Sequence, residues 1–173
     1  LEVAQASRDL HRATGGLFDA TQGRMRPENR GVAPGWDAVS LDSANPRIAL
    51  GHPDIALDFN GVAKGYAVDR AVAALRHQGL EDFLINAGGD LYAAGSSGEG
   101  AGGWTLRLDV PDSMPIPARR VQGRGRAVAT SDNWMRAKDR TGRAIPHLQE
   151  PDRDVPVSGI VSATALGSSA VSA

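Results

Sequence analysis

The chain has 173 residues, 41% hydrophobic and 23% charged, and a net charge of −1, so the chain as a whole is not built to bind a polyanion and no nucleic acid partner is expected. It has no cysteine, which excludes disulfides, thiolate catalysis and Cys-ligated metal, and no stretch approaches the ~20 apolar residues of a membrane span. Its size suits one domain, or two small lobes around a shared core, and 21 glycines against 5% aromatics point to many turns and small-residue contacts.

Residues 1–14 place Val3, Ala6, Leu10 and Ala13 near helical spacing, and Gly15-Gly16 stops the run. Residues 22–54 are rich in Gly, Pro, Asn and Asp and read as loop, with short extended pieces near Val39–Leu41 and Ile48–Leu50. "IALDF" (55–59) reads as a short strand. Asn60 then caps a helix over about 62–78, in which Val68, Ala71, Val72 and Leu75 form one apolar face and Gly79 takes the C′ position. "DFLINA" (82–87) and "DLYAAG" (90–95) read as strands either side of Gly88-Gly89. "SSGEGAGG" (96–103) reads as a turn. "WTLRLDV" (104–110) alternates as a half-buried strand, and "RAVATS" (126–131) and "GIVSATAL" (159–166) read as two more. Two main helices and about six strands, mostly neighbours in sequence, favour an α+β fold with a mixed, largely antiparallel sheet. The chain starts inside a helical pattern with no initiator Met or signal peptide and stops at "GSSAVSA". It therefore reads as a fragment, with any targeting segment upstream of Leu1.

Several stretches offer chemistry, each with a plainer reading beside it. "LDFNGVAKGYAVD" (57–69) is a Gly-rich turn entering a helix. Its free N–H groups, Lys64 and the helix dipole make a ready anion site, or it is an ordinary strand-to-helix turn. It is neither a P-loop nor G-x-G-x-x-G, and Asp58 suits a ribose, a ring N–H or metal-bound water rather than a phosphate. Gly88-Gly89 before Asp90 is a close-approach site or a turn requiring positive φ. "GGLFDAT" (15–21) is a helix stop followed by a buried Phe18, or a third ligand-facing turn. Residues 119–153 hold nine Lys and Arg against four acids, a solvated loop or a positive field for an anion. His147, after Pro146 in an irregular stretch, is the histidine placed for a site. No second histidine lies at metal-ligand spacing. "SATA" (162–165) carries hydroxyls inside a predicted strand and reads as structural.

The order of these pieces is more specific than any one of them. "GGLFDAT", "LDFNGVAKGYAVD", "LINAGGDLYAAG", "AVATSDNWMR", "HLQEP" and "VPV" together resemble the FAD:protein FMN transferase (ApbE) family over nearly the whole chain, most closely from Asp58 to Gly95. The resemblance implies a single α+β domain over residues 1–173 with a flavin cleft between two lobes. It also implies FAD as substrate, Mg²⁺ as cofactor, and transfer of FMN to a Thr or Ser of an acceptor flavoprotein with release of AMP. A periplasmic or other extracytoplasmic location, with a lipid anchor supplied by an N-terminal segment, goes with it. Leu17, Phe18 and Asp19 match the positions lining the flavin site. Asp58, Lys64 and Leu148 match cofactor-contacting positions, the Gly61 carbonyl faces Mg²⁺, and His147 is the catalytic histidine.

Three departures from the family pattern stand out. The acid and Thr that complete the metal site are expected beyond Ala173, and a hard cation held by one carbonyl alone binds poorly. The histidine motif reads "HLQEPDRDV", with Glu150, Arg153 and Asp154 in place of Asp, Thr and Gly. Asn60 replaces a small residue, and "SDNWMR" replaces the commoner "SGxYxR". Alternative outcomes are an FAD-binding module without transfer, or an FAD pyrophosphatase with water as acceptor.

Overall fold

The structure, a computed structural model, describes residues 1–21, 34–98, 102–108, 119–132, 148 and 157–173. The chain divides into two compact units, Leu1–Ala63 with Leu148–Val157, and Lys64–His147 with Ser158–Ala173.

The first unit opens with α1 (Glu2–Ala13), which ends where Gly15 and Gly16 take positive φ of 62° and 90°. Its buried positions are Ala4 and Ser7, with Val3, Ala6 and Leu10 half-buried and Ala13 exposed. The buried seam is thus shifted from the predicted face. Ser7 is tolerated there because its hydroxyl donates to the Val3 carbonyl at 2.8 Å, one turn back. A 3-10 turn at Gly35–Ala38 leads into the antiparallel hairpin of β1 (Val39–Asp42) and β2 (Arg47–Leu50), as the short extended pieces predict. Ala20, Trp36, Val39 and Ile55 form its core, with Phe18, Leu41, Ile48, Leu57 and Phe59 packed around them.

The predicted strand 55–59 is not a ladder strand. The Ala56 N–H donates to Thr21 at 3.3 Å and that of Asp58 to Ala20 at 2.8 Å, so the segment is extended but bonds at single residues to a loop. The helix α2 (Asn60–His77) then starts two residues earlier than expected. Asn60 is inside it and does not cap it. The Phe59 carbonyl accepts the first bonds, from Val62 and Ala63, and the Asp58 carboxylate takes the Asn60 N–H at 2.9 Å. An acceptor on Asp58 satisfies one of the orphan donors at the helix start, which is the work expected of a cap. The other end closes as predicted. Gly79 has φ 79°, its N–H reaches Arg76 at 3.0 Å, and Leu80 reaches Leu75 at 3.1 Å, a Schellman pair of bonds.

In the second unit, β3 (Phe83–Ala87), β4 (Asp90–Ala94), β7 (Arg126–Asp132) and β8 (Ser162–Gly167) form one antiparallel sheet in the order β3-β4-β7-β8. One face carries Phe83, Tyr92, Ala94 and Ala127, packed with Val68 and Val72 of α2 and with Ala170. Ala93 and Val128 point the other way and meet Leu106 under the hairpin of β5 (Trp104–Arg107) and β6 (Arg120–Gly123). The strand period of two sorts the residues to these faces. All pairings among the described residues are antiparallel, which bears out the α+β expectation. The strand β6 was not predicted. Among the described residues no helix is long and apolar enough to cross a membrane.

Candidate functional site

In the first unit the structure brings two sequence motifs side by side. The bonds from Ala56 and Asp58 to Thr21 and Ala20 lay "LDF" along "FDAT". Phe18 is half-buried, and its ring covers Gly61, where a Cβ would stand 2.8 Å from the ring Cε2. Gly61 therefore has a steric reason to be glycine: its missing side chain is the space the Phe18 ring occupies. Leu17 is 71% exposed, an apolar side chain left in solvent beside this ring. Asp19 is held in place. Its Oδ1 accepts the Thr21 N–H at 2.9 Å and the Thr21 hydroxyl at 2.7 Å. His11 stands behind this turn, its Nδ1 2.9 Å from the Phe18 carbonyl. Asp58 is exposed, and its Oδ1 closes the start of α2 by accepting the Asn60 N–H. Phe18, Asp19, Asp58 and Gly61 are thus gathered by the chain into one corner of the first unit.

In the second unit, Lys64 lies on α2 with its Nζ 3.3 Å from Oδ2 of Asp90. The Lys64 side chain is 58% exposed and that of Asp90 only 11%. Asp90 opens β4 directly after Gly88 and Gly89, which have φ of 65° and 100° and sit between the paired residues Ala87 and Asp90. Two consecutive positive φ values make this a two-residue hairpin turn of the primed kind, so the turn reading of Gly88-Gly89 holds. Asn86 steadies it by accepting the Gly89 N–H at 3.1 Å.

Leu148 is half-buried, and its carbonyl accepts the Val157 N–H at 3.1 Å. His147 and most of the arginine-rich stretch around it lie outside the described residues. For a metal ion the fit is incomplete. Among the described residues no group of three or more His, Cys, Asp or Glu is gathered to hold one. The Gly61 carbonyl sits in the first turn of a helix. One such oxygen does not supply the six or so ligands a hard cation takes.

Two acids whose structural roles the sequence reading did not assign matter here. One is Asp90, as the partner of Lys64. The other is Asp69, whose carboxylate accepts the N–H groups of Ala170 at 2.7 Å and Val171 at 3.0 Å and so seats the turn 168–173 on α2. Asp69 sits mid-helix, where a short acid is a poor helix former. That mismatch was the available signal.

A family model described as the ApbE family matches residues 1–173. The chain belongs to the ApbE family. Among its relatives, an FAD:protein FMN transferase of Rhodobacter capsulatus is 27% identical over 190 residues, 95% of this chain and 35% of the relative. One of Klebsiella pneumoniae is 23% identical over 197 residues, all of this chain and 56% of the relative. The crystal structure of the apo flavinyl transferase ApbE of Pseudomonas stutzeri superposes with a TM-score of 0.77 at 26% identity, covering 98% of this chain and 58% of that one. The ApbE protein of Thermotoga maritima gives a TM-score of 0.77 at 26% identity, covering 99% and 61%. The chain thus spans between a third and two thirds of the length of these ApbE proteins.

Proposed function

We propose that this protein acts in Mg²⁺-dependent transfer of FMN from FAD to a Ser or Thr hydroxyl of an acceptor flavoprotein, with release of AMP. The observation that carries this reading is the match to the ApbE family along the whole chain, with "GGLFDAT" and "LDFNG" side by side as one flavin-binding corner would need. In the proposed reaction the hydroxyl oxygen bonds to the phosphorus of the FMN half of FAD. The P–O bond to AMP breaks, and the hydroxyl proton passes to a base. Such a transfer asks the protein for positioning and charge neutralisation more than for covalent help. Phe18, with Leu17 beside it, offers an apolar surface for the flavin, and Asp58 an acceptor for a hydroxyl or ring N–H. Lys64 and the positive end of the α2 dipole supply positive charge for phosphate oxygens. His147, whose side-chain type titrates near neutrality, is the proposed proton acceptor, with Leu148 beside it against the cofactor. When bound, Mg²⁺ would neutralise charge on the two phosphates, with the Gly61 carbonyl among its ligands. We place the protein outside the cytoplasm, anchored through an upstream segment.

The test is incubation of the full-length parent with FAD, Mg²⁺ and a candidate flavoprotein acceptor, read by intact mass. A gain of one FMN on the acceptor, abolished by a chelator, is the expected result. AMP release without labelling would instead make the protein an FAD pyrophosphatase, and FAD binding with neither product a flavin-binding module. His147→Ala should keep FAD binding and lose transfer, and unchanged transfer would remove His147 from the mechanism.

A further inference from the structure

We infer that Asp90 is the positioning residue for Lys64, a carboxylate fixed on a rigid hairpin that holds the ammonium ready for the phosphate oxygens of its ligand. The inference rests on the proposed function for the identity of that ligand as a flavin nucleotide.

The two partners are unequal. Asp90 sits at the first residue of β4, locked by the closing pair Ala87–Asp90 and by the Asn86–Gly89 bond, and its side chain is 11% exposed. Lys64 has a flexible four-carbon stem and is 58% exposed. An ordinary surface ion pair ties two mobile side chains and contributes little. Here the acid is already ordered and largely out of water, and among the described residues Lys64 is its one ion-pair partner. The pair therefore confines the lysine. An ammonium has three donors. One is turned to Asp90 at 3.3 Å, and the exposure of Lys64 leaves the others facing solvent, where a ligand oxygen can take them.

Residue choice points the same way. The chain has 19 Lys and Arg, of which only Lys64 and Lys138 are lysine. Where nearly every basic position is arginine, a lysine against a nearly buried carboxylate is a chemical choice. A guanidinium would fork onto both oxygens of Asp90 with two of its five donors and fix the plane of the rest. The compact ammonium bridges the acid and a second oxygen ligand. The neutral pair also accounts for a basic group beside a buried acid: without Lys64 the carboxylate would be desolvated and uncompensated.

The experiment uses the fact that two lysines give two side-chain signals. The chain is labelled with ¹³C,¹⁵N-lysine, Lys64 is assigned with Lys138→Arg, and the Lys64 Cε and Nζ signals are followed against sodium pyrophosphate, FAD and riboflavin. We expect pyrophosphate and FAD to move the Lys64 signals of the wild type. Asp90→Ala should need about tenfold more of either, since the lysine must then be ordered by the ligand itself. Riboflavin, which has no phosphate, should bind both alike. Lys64→Met should lose up to about a hundredfold in FAD affinity, as for a charge-assisted hydrogen bond, and Asp90→Ala should add nothing on that background. Asp90→Asn keeps the volume and one oxygen, so it carries the test if the alanine variant unfolds, with a loss of about threefold expected from the weaker neutral hydrogen bond. Binding by the Asp90 variants as tight as wild type or tighter, an Asp90 effect that persists without Lys64, or no response of Lys64 to pyrophosphate would each overturn the inference. If pyrophosphate behaves as expected while FAD binds no better than riboflavin, the flavin-nucleotide reading fails and the role of Asp90 stands.

Discussion

Gly61 and Gly65 stand one helical turn apart in α2, and neither has room for a side chain, yet they are glycine for different reasons. At Gly61 an added Cβ would meet the edge of the Phe18 ring at 2.8 Å. At Gly65 it would meet main chain, the Ala170 carbonyl oxygen at 2.5 Å, its carbon at 2.7 Å and the Val171 nitrogen at 3.0 Å. A ring can turn. Backbone that is itself hydrogen-bonded to Asp69 on the same helix cannot move without breaking those bonds. The first glycine makes room for the ring of Phe18, and the second locks a turn in place.

The contrast can be broken from either end, and the locked end should show the larger effect. Gly65→Ala gains helix propensity, about 1 kcal/mol, but drives a methyl into fixed backbone, where overpacking costs about 1–3 kcal/mol or more. The clash should dominate, with a net loss of about 2 kcal/mol in urea denaturation. An unchanged midpoint would show that the 168–173 turn is not held as described. Asp69→Asn should follow closely. One amide oxygen cannot serve both N–H groups, and the loss of a charged acceptor is worth about 1.5–3 kcal/mol. Faster amide exchange at Ala170 and Val171 would locate the effect. Gly61→Ala should be milder, because the same propensity gain opposes the cost of turning one ring, and the net change should stay within about 1 kcal/mol. It should become stabilising on a Phe18→Leu background. If the sign does not change there, the ring is not what keeps residue 61 small.

These two glycines also mark what a sequence can and cannot reveal. Features governed by a few consecutive residues were legible. Gly15-Gly16 stops α1, Gly79 closes α2, Gly88-Gly89 turns the β3–β4 hairpin, and alternation marks β5. Local rules also misled. "DFN" offers two capping side chains, and the fold uses Asp58 where Asn60 looked better placed. "IALDF" has the apolar content of a strand, but its N–H groups find a loop rather than a ladder. In β6 only Val121 and the small Gly123 turn inward, too short an alternation to show against Arg120 and Gln122. The candidate site was legible as a set of motifs in order. That Phe18 covers Gly61, or that Asp90 holds Lys64, is a tertiary contact that no local pattern encodes.

The smallest expected effect belongs to another acid that collects backbone N–H groups, Asp42 at the end of β1. Its Oδ1 accepts the N–H groups of Ala44 at 2.9 Å and Asn45 at 3.1 Å, and its Oδ2 takes the Asn45 side-chain amide at 3.2 Å. The Asn45 bonds, backbone first, hold its carboxyl below the ordinary 3.8. A depressed carboxyl in the folded state contributes stability that is fully present above 3.8, where both folded and unfolded forms are ionised. The contribution fades as pH falls below 3.8 and through the lower folded value, because there the unfolded chain binds the proton first. Asp69 differs in being tied to residues far along the chain, whereas Asp42 ties only its own turn, at the exposed surface. Asp42→Asn should therefore leave the fold intact and lower the midpoint slightly at neutral pH, where the charge contribution is fully present, with the difference from wild type closing as pH falls below 3.8 and through the folded value. Wild type and variant compared by denaturant midpoint across that window, with the Asp42 carboxyl followed by NMR, would check it. A midpoint difference that persists unchanged from neutral pH down to the bottom of that window would mean that the side chain acts as a shape in the turn and not through its charge.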